Sequence, residues 1–242
     1  MKINKESNVY TVVYAAVLVV VVGFALALVY QALRPAQLEN IANDTKKQIL
    51  AAALIYPTAD QTIGSLYESH IKESYCVDSK GDVVEGAKAF DVNMVNEVKK
   101  PADERVLPVF VCSTDKGVKY IVPVSGAGLW GPIWGYIAMN ADGKTIFGAY
   151  FGHQGETPGL GAEIERPAFS GQFEGKPIFG SNGDFESVLV VKKGQEPAGR
   201  AYVNAASGGT ITSQGVQKML FTSLEPYTAF FKKLEKESSN KE

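Results

Sequence analysis

The longest apolar stretch of the chain lies near its N-terminus. No charged side chain occurs in residues 7–33, and residues 12–29 are almost all Val, Ala, Leu, Tyr, Phe and Gly. At a helical rise of about 1.5 Å per residue, roughly 20 apolar residues span the ~30 Å hydrocarbon core of a bilayer. The pattern therefore predicts one transmembrane helix over residues 10–33.

A cleaved signal peptide is the alternative interpretation of this stretch. The apolar part of a signal peptide is about 7–15 residues long and ends at a small-x-small cleavage site. The run here is longer, and residues 30–35 (YQALRP) form a poor cleavage site, so we favour an anchor. Lys2 and Lys5 precede the run and Arg34 follows it, which leaves the positive-inside signal for orientation weak.

Helical spacing continues after the anchor. Leu38, Ile41, Ile49 and Leu50 recur among polar residues, which predicts an amphipathic helix. Residues 60–72 indicate a second, shorter helix. Residues 75–101 are polar and charged and contain turn signals, and we interpret them as turns that lead to a boundary.

Strand-like runs dominate the middle of the chain. They are short, rich in Val, Ile, Tyr and Phe, and bounded by Gly, Asn, Asp or Pro, as is typical of strands. Residues 140–143 (NADG) form the clearest hairpin turn and predict an antiparallel pair. Helical spacing returns over residues 213–236, where Pro226 is expected to interrupt the helix. The predicted strands are residues 107–112, 120–124, 133–139, 145–151 and 188–192.

This order of elements predicts an α+β fold. We expect one transmembrane helix followed by a single domain in which an antiparallel sheet has its helices on one side. A Rossmann sheet is not predicted, because no Gly-x-Gly-x-x-Gly opens a βαβ unit. The predicted regions are a short N-terminus (1–9), the transmembrane helix (10–33), a helical juxtamembrane region (34–72), the α+β domain (73–236) and a frayed tail (237–242).

Composition narrows the function further. The formal net charge is -2, and no Lys/Arg stripe interleaves with aromatic residues, so nucleic-acid binding is not predicted. Cys76 and Cys112 lack Cys-x-x-Cys spacing, which argues against a zinc ribbon or a redox dithiol. Whether these two cysteines form a disulfide stays open, because the sequence does not give the distance between them. His153 has no partners at metal-ligand spacing, and no metal site is predicted.

Candidate chemistry is concentrated in residues 207–213 (SGGTITS), which run directly into the helical spacing of Val216, Met219 and Leu220. Such a turn at the mouth of a helix offers amide donors to a phosphate and a hydroxyl close enough to bond to it covalently. The alternative is an ordinary helix N-cap, with Thr212 or Ser213 as the capping residue.

Two Gly-rich segments accompany this hydroxyl cluster. They are residues 128–136 (GLWGPIWGY) and residues 152–164 (GHQGETPGLGAEI). Together with the anchor, the three segments resemble the NqrC component of the sodium-pumping NADH:quinone reductases (Na+-NQR), which shows Gly-Leu-Trp and Glu-Thr-Pro-Gly-Leu-Gly signatures. The flavinylation motif there is an acidic residue followed by Ser/Thr-Gly-Ala-Thr-x-Thr/Ser. Gly209 replaces the usual Ala, and Asn204 stands where the acidic residue is common.

The resemblance implies a flavoprotein component with covalent FMN. A separate flavin transferase would join FMN through its phosphate to Thr210, since no adjacent His or Lys is visible to activate that hydroxyl. The N-terminus would be cytoplasmic and the domain periplasmic, at the bacterial inner membrane, and electrons would pass between carriers on other subunits of the complex. This chain alone is expected neither to oxidise NADH nor to pump sodium.

The resemblance also implies the residues that bind the cofactor. An isoalloxazine ring is a large flat π-system that fits an apolar or backbone-lined slot. Gly159 and Gly161 let the main chain approach such a ring, and nearby amides can donate to its carbonyl groups. Trp130 is either a ring neighbour or a core residue, and Glu156 contacts the flavin or only caps its loop. The implied FMN site comprises Ser207, Gly208, Gly209, Thr210, Thr212, Trp130, Glu156, Thr157, Gly159, Leu160 and Gly161.

Two alternative functions stay open at the level of sequence. The RnfG component of the related Rnf electron-transport complex shares the anchor, the motif and a similar Glu-Thr-Pro-Gly-Leu-Gly loop, and the fuller segment 128–136 favours NqrC. In the other alternative the chain is a membrane-tethered scaffold without a cofactor, and residues 207–213 merely cap a helix.

Overall fold

Helix α1 is the first element of the structure, a computed structural model that describes residues 7–239. It spans Asn8–Ala52 and contains Pro35. Within the described part of the chain, it is the one helix long and apolar enough to cross a membrane. The predicted transmembrane and amphipathic helices are therefore one continuous helix. Pro35 removes one backbone hydrogen-bond donor from this helix but does not end it. The predictions for residues 1–6 and 240–242 lie outside the described residues.

The chain divides into two compact units, of which one ends at Thr45 and the other begins at Lys46. The second unit contains every element after α1. Its helices are α2 (Ile63–His70), α3 (Met94–Glu97), α4 (Pro167–Ser170), α5 (Thr210–Leu224) and α6 (Thr228–Ser239). Its strands are β1 (Ile71–Val77), β2 (Leu107–Thr114), β3 (Gly117–Ala127), β4 (Pro132–Asn140), β5 (Ile146–His153), β6 (Leu189–Val191) and β7 (Tyr202–Asn204).

Strands β1 to β5 form one antiparallel sheet in chain order, and β6 pairs with β7 in a separate parallel ribbon. All five predicted strands are present, as β2 to β6. The predicted hairpin between β4 and β5 is confirmed, with the Gly143 amide donating to the Asn140 carbonyl at 3.0 Å. Gly143 has φ +64°, a conformation that favours glycine.

Strands β1 and β7 were not predicted from the sequence. In β1 three successive residues, Lys72 to Ser74, are exposed, and the pairing with β2 shifts register near Glu73. The alternation that identifies a strand is therefore broken. β7 has only three residues, and it lacks the continuous Val/Leu run that identified the equally short β6.

Both faces of the five-stranded sheet are covered. The predicted α+β fold, an antiparallel sheet with flanking helices, is therefore confirmed, and only the expectation that the helices lie on one side was wrong. Successive strand residues point to opposite faces. One face contributes Val109, Val122 and Ile137 to a core shared with α5 and α6, and the other contributes Phe110, Ile121 and Ala138 to a second core. The last turns of α1 cover the second face, where Ile49 and Ala52 are fully buried.

Helix α5 packs against β3, and this packing fixes the position of the N-terminus of α5. Ser223 Oγ on α5 accepts from the Ser125 amide at 3.2 Å and donates to the Ser125 carbonyl at 3.3 Å. A Cβ on Gly126 would lie 2.7 Å from the Met219 Cβ, so glycine is required for this close approach. The predicted interruption at Pro226 is confirmed, because a 3-10 turn (Glu225–Tyr227) separates α5 from α6.

Cys76 and Cys112 are buried free thiols. They lie apart in the sheet, since Cys76 pairs with Pro108 and Cys112 pairs with Ile71. Burial raises the pKa of each thiol to about 11. The structure thus answers the open question of the disulfide: the two thiols are not bonded.

Candidate functional site

The hydroxyl cluster forms the turn into α5, and Thr210 is the first helical residue. Gly208 has φ +73°, Gly209 is the N-cap, and no side chain caps the helix. The Ser213 amide donates to the Gly209 carbonyl at 2.8 Å. The amides before Ser213 in the first turn have no carbonyl partner within the helix. Thr212 and Ser213 lie inside the helix, so the interpretation of either one as the N-cap was wrong.

The three hydroxyl groups in the first turn of α5 differ in accessibility. Thr212 and Ser213 are each 1% exposed. The Thr212 hydroxyl donates to Glu156 Oε2, and Ser213 Oγ accepts from the Ala206 amide at 3.0 Å. Thr210 is exposed, and its hydroxyl has no hydrogen bond to any residue in the range 7–239. Thr210 is therefore the helix hydroxyl that is open to an incoming group.

A cavity of about 210 Å³ adjoins Thr210. It brings together the three segments that the sequence singled out, and it contains all the implied site residues except Ser207 and Gly159. Leu129 and Ile211 also line it and were not predicted, although both lie inside the segments that carried the resemblance. The lining is Leu129, Trp130, Glu156, Thr157, Leu160, Gly161, Gly208, Gly209, Thr210, Ile211 and Thr212.

Four apolar side chains of this cavity face solvent. Leu129, Trp130, Leu160 and Ile211 are between 44% and 68% exposed, with Trp130 the most exposed. We call these four residues the apolar rim. Trp130 is therefore not a core residue, which removes one of the two interpretations of it. Contiguous exposed apolar surface of this kind is typical of binding sites.

The Glu156 carboxylate lies in the wall of the cavity and is 4% exposed. Oε1 accepts from the Trp130 amide at 2.8 Å, and Oε2 accepts from the Thr212 hydroxyl. Burial alone would raise the pKa of Glu156. The hydrogen bonds from Thr212, Trp130 and Leu129 outweigh burial and hold that pKa below its ordinary value. Glu156 is thus a buried, ionised hydrogen-bond acceptor.

His153 does not line the cavity but contacts the loop that bears Glu156. Its Nδ1 accepts from the Glu156 amide at 3.1 Å, and its Nε2 lies 3.5 Å from Glu165 Oε2. The bond to the amide requires an unprotonated Nδ1, so the ring proton is on Nε2. Within residues 7–239, no group of three or more His, Cys, Asp or Glu side chains is arranged to hold a metal ion.

Gly209 shows why this chain departs from the usual Ala of the motif. A Cβ at this position would lie 2.9 Å from the Leu160 carbonyl oxygen and 3.1 Å from the Gly161 Cα. The first contact is closer than real Cβ atoms make, and both involve backbone. The absence of a side chain at Gly209 therefore lets the loop of Leu160 pack directly against the turn into α5.

Ser207 and Gly159 line a second cavity of about 410 Å³. Its wall includes Gln172, whose Oε1 accepts from the Asn204 amide at 2.9 Å. Asn204, which stands where the motif usually has an acidic residue, is thus held at the end of β7 by Gln172. Arg166 also lines this cavity and pairs with Glu163 at 3.0 Å.

Comparison with known proteins gives the family. Residues 128–225 match the FMN-binding domain family. The NqrC component of the Na(+)-translocating NADH-quinone reductase of Pasteurella multocida is 31% identical over 233 residues, covering 88% of each chain. The corresponding protein of Vibrio anguillarum is 31% identical over 234 residues, covering 90% of each chain.

Solved structures agree with the sequence relatives. The crystal structure of the corresponding protein from Parabacteroides distasonis is 47% identical, with a TM-score of 0.76, and the match covers 82% of this chain and 96% of that one. Shewanella oneidensis NqrC is 26% identical with a TM-score of 0.67, covering 81% and 98%. The chain therefore belongs to the NqrC family of the Na(+)-translocating NADH-quinone reductases, an FMN-binding component of an oxidoreductase complex.

Proposed function

We propose that this chain carries FMN as a phosphoester on Thr210 Oγ1 and passes electrons between carriers on other subunits of a Na(+)-translocating NADH-quinone reductase. One observation carries the attachment site. Thr210 is exposed at the first turn of α5, next to an apolar cavity, whereas Thr212 and Ser213 are buried with engaged hydroxyls.

The surroundings of Thr210 suit each part of the cofactor. The amides of the first turn of α5 and the positive end of the helix dipole favour a phosphate. The apolar rim provides surface for the isoalloxazine ring, and Trp130 offers a face for stacking. Leu160 and Gly161 line the same cavity. The Leu160 amide already donates to the Thr157 carbonyl at 3.1 Å, so the Gly161 amide would be the donor to a ring carbonyl. When bound, the FMN supplies the redox chemistry.

The attachment reaction needs an activated flavin donor and an external base. Thr210 Oγ1 would attack the FMN phosphorus of a flavin nucleotide, and the phosphoanhydride bond to the second nucleotide would break as the new O–P bond forms. The hydroxyl proton must leave. Glu156, the carboxylate in the cavity wall, already accepts from Thr212 and Trp130. We therefore assign the base and the donor to a separate flavin transferase.

Helix α1 supports a single-pass membrane anchor, and we infer that the domain lies on the periplasmic side of the inner membrane. Residues 46–239 would then meet both the transferase and the partner subunits outside the cytoplasm. NADH oxidation and quinone reduction belong to other subunits in this proposal. Protease treatment of spheroplasts tests the orientation: cleavage of the domain without lysis supports it, and protection until lysis overturns it.

Peptide mapping tests the attachment site. The full chain is co-expressed with a flavin transferase and digested with trypsin, and the peptide of residues 201–218 is fragmented. We expect one FMN on Thr210, flavin fluorescence that persists in a denaturing gel, and loss of both in Thr210→Ala. Thr222→Ala is the control, since it removes a hydroxyl of the same helix that lies outside the cavity, and it should keep the flavin. Wild-type protein without flavin under these conditions would refute the proposal.

A further inference from the structure

The Glu156 carboxylate connects the three segments around the cavity. Oε1 accepts from the Trp130 amide at 2.8 Å and Oε2 accepts from the Thr212 hydroxyl, which is 56 residues away in the chain. One buried side chain therefore links the loop that bears Trp130, its own loop, and the helix that begins at Thr210.

Two glycines leave room for this carboxylate. A Cβ on Gly128 would lie 2.5 Å from Glu156 Oε1. A Cβ on Gly161 would collide with Oε2 and would lie 2.5 Å from the Thr212 hydroxyl oxygen. A side chain at either position would therefore displace the carboxylate from its hydrogen bonds. The fold is shaped around the carboxylate and not only around a ligand.

A carboxylate that accepts a hydrogen bond from a hydroxyl is also the arrangement of a general base with its nucleophile. Burial argues against that role for Glu156 and Thr212. Thr212 is 1% exposed and Glu156 is 4% exposed, so a phosphorus atom has no open approach to the Thr212 oxygen. The same bond holds the Thr212 hydroxyl away from the surface that presents Thr210.

We propose that Glu156 is a positioning residue: it holds Thr212 out of the attachment reaction and fixes the Trp130 loop against the helix that carries Thr210. This inference rests on the proposed attachment of FMN to Thr210. It assigns Glu156 and Thr212 a shared role that does not require either of them to touch the flavin.

The first experiment separates positioning from general-base chemistry. Thr212→Val keeps the shape of the side chain and removes its hydroxyl. In the full chain co-expressed with a flavin transferase, we expect the FMN of Thr212→Val to be on Thr210, and we expect Thr210→Ala to carry no FMN on Thr212. The opposite pattern, loss in Thr212→Val with flavin retained on Thr212 in Thr210→Ala, would overturn the inference and make Glu156 a base.

The second experiment tests the link to Trp130. An indole ring held near the flavin quenches its fluorescence, so Glu156→Ala, which frees the Trp130 loop, should raise flavin fluorescence about twofold at equal occupancy. Glu156→Gln should keep the wild-type fluorescence. The side-chain oxygen of glutamine still accepts from the Trp130 amide, and its amide group can donate to the Thr212 hydroxyl. Unchanged fluorescence in Glu156→Ala would contradict the inference.

Ser223→Ala is the control for a merely structural effect. It removes buried hydrogen bonds between α5 and β3, more than two helical turns from the cavity. It should lower the unfolding temperature without changing flavin fluorescence. A fluorescence rise in Ser223→Ala equal to that in Glu156→Ala would overturn the inference. The fluorescence outcomes are read on protein that has FMN on Thr210, so failure of the inference there is distinct from failure of the proposed function, in which the wild type carries no flavin on Thr210.

Discussion

At the residue scale, the site depends on how buried polar groups find partners. An ionised carboxylate in a protein interior is unfavourable unless hydrogen bonds stabilise its charge. Glu156 receives them from a hydroxyl and from main-chain amides, and its pKa lies below the ordinary value as a result. The stability of the site is therefore linked to pH.

Glu156→Gln should lower stability at neutral pH by about 1–3 kcal/mol, the cost of weakening buried charge-assisted hydrogen bonds. Because the folded-state pKa of Glu156 is the lower one, its contribution is present above the unfolded value of about 4.3 and is lost as pH falls through the folded value. Denaturant unfolding at pH 7 and near pH 3 checks whether the difference from wild type shrinks at low pH.

Glu163→Gln provides the comparison for that experiment. Glu163 pairs with Arg166, whose side chain is 69% exposed, and such surface pairs contribute about 0–1 kcal/mol. We expect little change in stability at either pH. A loss in Glu163→Gln as large as that in Glu156→Gln would contradict the role given to burial.

Gly209→Ala tests the packing of the Leu160 loop on the turn into α5. The added Cβ would lie 2.9 Å from the Leu160 carbonyl oxygen, and overpacking of this kind costs about 1–3 kcal/mol. Thermal unfolding should show the loss. Gly155→Ala is the control, because nothing lies within 4 Å of a Cβ there. Equal stability of both variants would show that the Leu160 loop shifts away from the added Cβ at little cost in free energy.

At the scale of elements, the 3-10 turn between α5 and α6 is attached to the sheet through Tyr227. This side chain is fully buried, and its hydroxyl donates to the Pro108 carbonyl in β2 at 2.8 Å. Tyr227→Phe leaves that carbonyl without the donor and should lower stability by about 1–3 kcal/mol. Thermal unfolding measures the loss, and Tyr202→Phe, at a half-buried tyrosine, should change it little.

The sequence predicted those elements whose signals are local. The hairpin at Asn140 to Gly143 and the break at Pro226 follow from turn and proline chemistry, and both are present. β1 escaped prediction because exposed residues interrupt its alternation. The bond between Glu156 and Thr212 joins residues 56 positions apart, and no local pattern encodes such a contact. The segments of the site and Glu156 itself were therefore predictable, whereas the bond through which Glu156 joins them was not.

At the scale of the whole molecule, the end of α1 belongs to the core of the second unit. Gln48 to Ala53 are buried there, and they cover the sheet face that contains Phe110 and Ile121. A helix whose composition is that of a simple membrane anchor thus also completes a globular domain. This double use explains why the sequence predicted helices on only one side of the sheet.

Two truncations test this double use. A chain that begins at Lys46 keeps the covering residues, and it should accept FMN and be monomeric once loaded. A chain that begins at Tyr56 exposes the second core, and buried side chains of this size contribute about 1.5–3 kcal/mol each, so it should aggregate or unfold. Size-exclusion chromatography and unfolding of the two purified chains distinguish them. Equal behaviour would show that the end of α1 is dispensable.

The apolar rim affects the solubility of the protein before FMN is attached. Until a chromophore covers them, the four apolar side chains beside Thr210 are exposed to solvent. Exposed apolar surfaces of this kind promote self-association. Newly made chains should therefore aggregate when the transferase is limiting. Light scattering at equal protein concentration should be higher for flavin-free than for flavin-loaded protein. Loading the cofactor would then serve solubility as well as electron transfer.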